Sequence, residues 1–149
     1  MRVKQLGGLE LAAWRGFLAT HSHLVRELDR ELETAHALPL TQYEVLLQLE
    51  AAPEHRLRMG DLAASVLLSQ SGVTRLVDRL ERDGLVARER CPSDRRGLNA
   101  RLTPKGLEKL LEARPTHLAG VRERFLSRLS QSELRGLAGA WTKLRPGAD

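Results

Sequence analysis

Residues 85–106, LVARERCPSDRRGLNARLTPKG, break the rhythm of the chain. Elsewhere the apolar residues recur every three or four positions. Here LVARERC and LNARLT alternate apolar and polar on either side of PSDRRG, the pattern of two strands joined by a turn. Turn chemistry accounts for Pro92, Asp94 and Gly97. It does not account for Arg95 and Arg96, adjacent like charges at the tip, and their placement calls for something acidic outside the hairpin.

The charge distribution sharpens that expectation. Residues 1–53 carry five basic and seven acidic side chains, residues 54–106 eleven and seven, and residues 107–149 eight and five. Within the middle segment, residues 85–106 hold six basic groups against two acidic ones, so the excess of that segment is concentrated around the hairpin. Such a patch is either a phosphate-binding surface or a solvated face. With 42% apolar and 29% charged residues the composition is that of a soluble globular protein, and no apolar run approaches the roughly 18 to 20 residues of a membrane span. The opening MRVKQLGGLELAAWRG interrupts its apolar stretch with Glu10 and Arg15 and has no cleavage pattern, so the expected place of work is the cytoplasm, with no membrane partner. The single cysteine, Cys91, has no partner for a disulfide and no companion thiols for a zinc site. No cofactor is expected.

Helical periods fill the rest. Trp14, Leu18, His21, Val25, Leu28, Leu32 and Ala35 step by four and three alternately, a heptad seam on one long helix widened by Phe17 and Leu24 and ended at Leu38-Pro39. Thr41 with Glu44 has the form of a capping box opening a second helix that stops at Ala51-Ala52-Pro53. A short helix follows Arg58, and another begins with Ser69 as its cap. Thr103-Pro104 restarts a helix, interrupted or kinked at Pro115, and Ser130 with Glu133 caps the last one. The seam and the two leucine-rich terminal helices carry more apolar face than one small module covers, so a symmetric partner copy is expected.

In SQSGVTRLVDRLERDG, Val73, Leu76, Val77 and Leu80 project onto one arc of about 100°. Ser71, Thr74, Arg75, Asp78, Arg79 and Arg82 lie outside it, and Gly84 supplies a left-handed stop. Three close helices, the last with a cationic outer face, followed by an arginine-tipped hairpin, form a winged helix-turn-helix. The expected fold is mainly α with a small β-hairpin: a single domain over 1–149, with a winged module at 40–103 and dimerisation helices at 1–36 and 104–146.

The stretch resembles the MarR family of bacterial transcription regulators. Asp94, Arg96, Leu102, Thr103 and Gly106 match its wing signature, Asp-x-Arg then Leu-Thr-x-x-Gly, and SQSGVTRLVDRLERDGLV is similar to its recognition helix. The resemblance implies a homodimer based on the first and last two helices, double-stranded operator DNA as the partner, and repression as the common mode. It also implies that Asp78 holds Arg96 and Asp94 shapes the turn with Gly97, leaving Arg95 freer for DNA.

On this reading Ser69, Gln70, Ser71, Thr74 and Arg75 face the major groove, with Arg75 the base reader, while Arg79 and Arg82 suit the backbone and Arg95 and Arg96 the minor groove. Ser69 is equally explained as a cap, and Arg79 and Arg82 as intrahelical partners of Asp78 or Glu81. The resemblance also implies release by a small aromatic or anionic effector, for which Trp14, Arg15, Phe17, His21 and His117 are the candidate lining. Trp14 and Phe17 are otherwise plain core of the dimer base. Cys91 is either a packed strand residue or a thiol able to disturb the wing. The five histidines show no metal-ligand spacing, and no nucleophile signature or phosphate-cradling glycine loop suggests an enzyme. The alternative is a winged-helix module that docks a protein instead of DNA.

Overall fold

The computed structural model describes residues 5–66 and 70–145, with the side chains of Gln70 and Arg95 left aside. The elements run α1 (Gly8–His36), α2 (Leu40–Ala51), β1 (Arg56–Arg58), α3 (Met59–Ser65), α4 (Gln70–Arg82), β2 (Val86–Cys91), β3 (Asp94–Leu102), α5 (Pro104–Arg124) and α6 (Gln131–Leu144). The fold is therefore mainly α with a small antiparallel sheet. No helix among the described residues is long and apolar enough to cross a membrane.

The chain divides into two compact units, Asp29–His117 and a second made of Met1–Leu28 with Leu118–Asp149. In the first, α2, α3, α4 and the sheet enclose Leu32, Leu38, Tyr43, Val45, Leu46, Leu49, Leu62, Val73, Val77, Leu80, Val86, Ala100 and Leu110, all essentially inaccessible. In the second, Phe17 packs on Trp141 at 5.5 Å between ring centroids, and Glu27 pairs with Arg124. Its apolar residues nonetheless stay open to solvent, with Leu9 86%, Leu144 72% and Trp14 53% exposed.

Several local expectations hold. The hydroxyl of Thr103 accepts from the Gly106 amide at 3.0 Å, with Pro104 in the first helical position of α5. Ser130 and Glu133 form the reciprocal capping box of α6. Gly84, at φ 74°, ends α4 in the left-handed region that glycine enters without a Cβ penalty.

Other expectations are corrected. Thr41 does not cap α2. It lies inside the helix, whose leading amide, that of Leu40, instead donates to the Asp29 carboxylate at 2.7 Å. Because α1 runs past the start of α2, an acid eleven residues earlier reaches the site. Pro115 does not interrupt α5, which is continuous through it. The hairpin is also the larger part of a three-stranded sheet of order β1-β3-β2, in which the three residues of β1 pair with Asn99 to Arg101.

The α4–β2 corner is pinned by the start of α5. The Thr103 hydroxyl donates to Gly84 O at 2.6 Å, Lys105 Nζ to Asp83 O at 2.8 Å and Thr103 N to Leu85 O at 3.2 Å. These bonds satisfy the carbonyls of residues 83–85, the connector just past the end of α4. Gly106 sits so close beneath that an added Cβ would lie 2.0 Å from Leu85 O. The Leu-Thr-x-x-Gly spacing is thus the geometry of this corner, which sets α4 against the hairpin.

Candidate nucleic-acid interface

α4 buries Val73, Leu76, Val77 and Leu80, as its projection predicts. Ser71, Thr74, Arg75, Asp78, Arg79, Glu81 and Arg82 are exposed. Ser69 lies outside the described residues, as does the side chain of Gln70, whose backbone opens the helix. Arg75 Nε makes one long bond, 3.4 Å, to Ser71 O within its own helix. Beside it, Thr41, Gly72, Arg75, Leu76 and Arg79 line an open groove of about 280 Å³.

The acids of α4 are engaged from the sheet. Arg88 Nη2 meets Asp78 Oδ1 at 2.6 Å and donates to Thr74 O at 3.2 Å, while Nη1 meets Glu81 Oε1 at 3.4 Å. The Arg88 amide donates to the other Glu81 oxygen at 2.9 Å. Asp78 therefore holds Arg88 and not Arg96 as expected. The alternative of an intrahelical pair fails for the same reason, since both acids are taken. Arg79 and Arg82 are left exposed with no carboxylate partner among the described residues.

The wing turns more tightly than the sequence suggests, with Cys91 opposite Asp94 around Pro92-Ser93. Arg90 then pairs with Leu98, so residues 95–97 bulge from β3. One Asp94 oxygen accepts from the Arg96 amide at 3.0 Å, and the other faces Arg58 Nη1 at 3.7 Å. Gly97 fits where a Cβ would come 3.3 Å from that of Cys91. The Arg96 side chain is exposed and meets no carboxylate among the described residues; the Arg95 side chain lies outside them. The Cys91 thiol, 3.5 Å from Ser93 Oγ and 3.4 Å from Arg58 Nη2, is held below the ordinary thiol pKa by its bond with Ser93 first and by Arg58 after it.

The effector candidates separate. Trp14, Phe17 and His21 follow one another on α1 with ring centroids 6.1 Å apart, joined by Trp141 on Phe17, and Arg15 is exposed. His117 instead stacks on Tyr43 at 4.6 Å, where burial pushes its pKa down against an opposing pull from Glu31. No group of three or more His, Cys, Asp or Glu side chains gathers as a metal site among the described residues.

Two arginines escape sequence reasoning, Arg88 and Arg90. Their signal is the period of the strand: Val86, Arg88 and Arg90 share a face, and Val86 is buried. A cation two residues from a buried valine on the inward face needs an acidic partner, and α4 supplies two. Arg90 is exposed at the outer end of that face.

Comparison with known proteins agrees with this architecture. The crystal structure of AbsC, a MarR family transcriptional regulator from Streptomyces coelicolor, matches with a TM-score of 0.89 at 36% identity over 95% of each chain. Sco3205, a MarR family transcriptional regulator of the same organism solved in complex with DNA, matches with a TM-score of 0.89 at 34% identity, over 97% of this chain and 94% of that one. The transcriptional repressor MprA of Escherichia coli K12 is 27% identical over 146 residues, 86% of this chain and 82% of MprA. The MarR family model itself matches residues 36–97, from the end of α1 to the wing bulge. With the winged module, the Thr103–Gly106 corner and near full-length likeness to regulators of that kind, the chain belongs to the MarR family of transcriptional regulators.

Proposed function

We propose that this protein is a DNA-binding transcriptional repressor that grips a pseudo-palindromic operator as a homodimer. α4 of each copy enters the major groove with Ser71, Thr74 and Arg75 toward the bases, Arg79 and Arg82 toward phosphates, and the wing with Arg95, Arg96 and Arg90 beside the minor groove. Ser69, which precedes α4 in the sequence, and Gln70, which opens it, belong to the same groove-facing set. One observation carries the reading: the acids of α4 are occupied by Arg88, so the outer face of the helix is left with three exposed arginines. A protein-docking winged helix has no use for so much unpaired positive charge. Sco3205, similar over nearly its whole length, was solved with DNA, and MprA is named a repressor.

Dimerisation rests on the open apolar faces of the flanking helices. Trp14, Phe17, Leu18 and Val25 of α1, Leu118 of α5, and Trp141 and Leu144 of α6 are each about two-fifths or more exposed, and a second copy covers them. The cluster of Trp14, Phe17, His21 and Trp141 belongs to this covered base rather than to an effector site. Two-fold symmetry sets half-site centres about one helical turn apart.

The test is fluorescence anisotropy of the purified dimer on duplex DNA from upstream of its own gene, between about 50 and 200 mM salt, where several phosphate contacts predict a steep fall in affinity. Arg75→Ala and Arg96→Ala should weaken binding. A folded dimer that binds no duplex at any salt in that range sinks the reading and leaves protein docking in its place.

A further inference from the structure

We infer that Arg88 is a positioning residue for DNA recognition: it ties the wing to α4 and keeps the carboxylates of α4 away from phosphates, without itself touching DNA. This rests on the DNA-binding reading above. Three observations lead there. First, the grip is saturated, because both terminal nitrogens and the backbone amide of Arg88 are spent on Asp78, Glu81 and Thr74 O. Second, the side chain is mostly covered, 19% exposed against 50% for Asp78 and 44% for Glu81, so it offers DNA little surface. Third, its contacts span nearly two turns of α4, at residues 74, 78 and 81, from a single point on β2. A forked guanidinium makes such a contact and a lysine ammonium does not, since the fork fixes several donors in one plane.

The consequence is electrostatic as well as geometric. Asp78 and Glu81 stand on the same helix as Arg75, Arg79 and Arg82, within reach of a docked backbone. Unmatched, they would repel phosphates and pair with Arg79 and Arg82. With Arg88 in place, both are neutralised from the protein side.

The test compares Arg88→Lys, Arg88→Met and the triple variant Arg88→Met, Asp78→Asn, Glu81→Gln with wild type, measuring operator affinity as a function of salt. Arg88→Met should lose roughly tenfold or more in affinity at moderate salt, and Arg88→Lys should recover only part of it. The triple variant should bind better than Arg88→Met, because the exposed carboxylates are gone. Throughout, the slope of log affinity against log salt should stay at the wild-type value, whereas Arg96→Ala lowers it by about one. A slope lowered in the Arg88 variants would make Arg88 a phosphate contact and overturn the inference. So would unchanged affinity in Arg88→Met, or no recovery in the triple variant. If Arg88→Met fails to fold, Asp78→Asn with Glu81→Gln on the wild-type background replaces it: weaker binding at constant slope supports the tie, and unchanged binding overturns it. Absence of binding by wild type is a different failure, that of the DNA reading itself.

Discussion

The unit from Asp29 to His117 and the helices that flank it spend their apolar residues in opposite ways. The first closes a core: every apolar side chain that is buried among the described residues lies between Leu32 and Ala113. The second has as strong an apolar period and leaves it open, from Leu9 to Val25 on α1 and at Trp141 and Leu144 on α6. Equal hydrophobic patterning thus has two destinations, one supplied within the chain and the other, on the proposed reading, by a second copy. The first kind of stability is independent of protein concentration, and the second depends on it.

The largest effects are expected in the closed unit. Gly106→Ala should cost on the order of 4 kcal/mol or prevent folding, because a methyl 2.0 Å from the Leu85 oxygen forces the corner apart. Leu80→Ala should cost about 2–5 kcal/mol by leaving a cavity in a site with no exposure. Urea unfolding followed by circular dichroism reads both, and the loss relative to wild type should be the same at every protein concentration. On the open side, Trp141→Glu should convert dimer to monomer in light scattering while far-ultraviolet helicity is largely kept. A Trp141→Glu chain that remains dimeric would move the partner surface elsewhere.

Smaller effects sharpen the contrast. Arg75→Ala, on the outer face of the closed unit, should weaken operator binding by about 1–3 kcal/mol and relax preference at one base position, with no change in the monomer–dimer balance. The smallest effect is one of pH. Burial against Tyr43 depresses the folded pKa of His117 below the unfolded value near 6.5. The stability this contributes is complete above the unfolded value and is lost as pH falls from there toward the folded one. His117→Phe should flatten that limb of the stability curve relative to wild type, a comparison in which the other titrating groups cancel. An unchanged acid limb would place the sensitivity elsewhere.

Legibility in the sequence followed the range of the interaction. The buried stripe of α4, the Gly84 stop, the Thr103-Pro104 start and the Ser130–Glu133 box each depend on residues within about four positions, and each is where the sequence places it. Thr41 misled because its own capping signal was sound and lost to Asp29, which only the path of α1 brings near. The strand β1 is three residues long, too short for any period to register, and exists because β3 offers it an edge. The wing arginines were visible as charge. Which of them is bound and which is free was not.

By itself, then, the order of residues determined the helices, the wing hairpin and the sign of its charge, because backbone preference, capping and the direction of a side chain are local properties. Pairing was decided in three dimensions. Arg88 rather than Arg96 takes Asp78 since strand register puts Arg88 on the face toward α4, and an ion pair forms with whichever partner the fold delivers within a few ångströms.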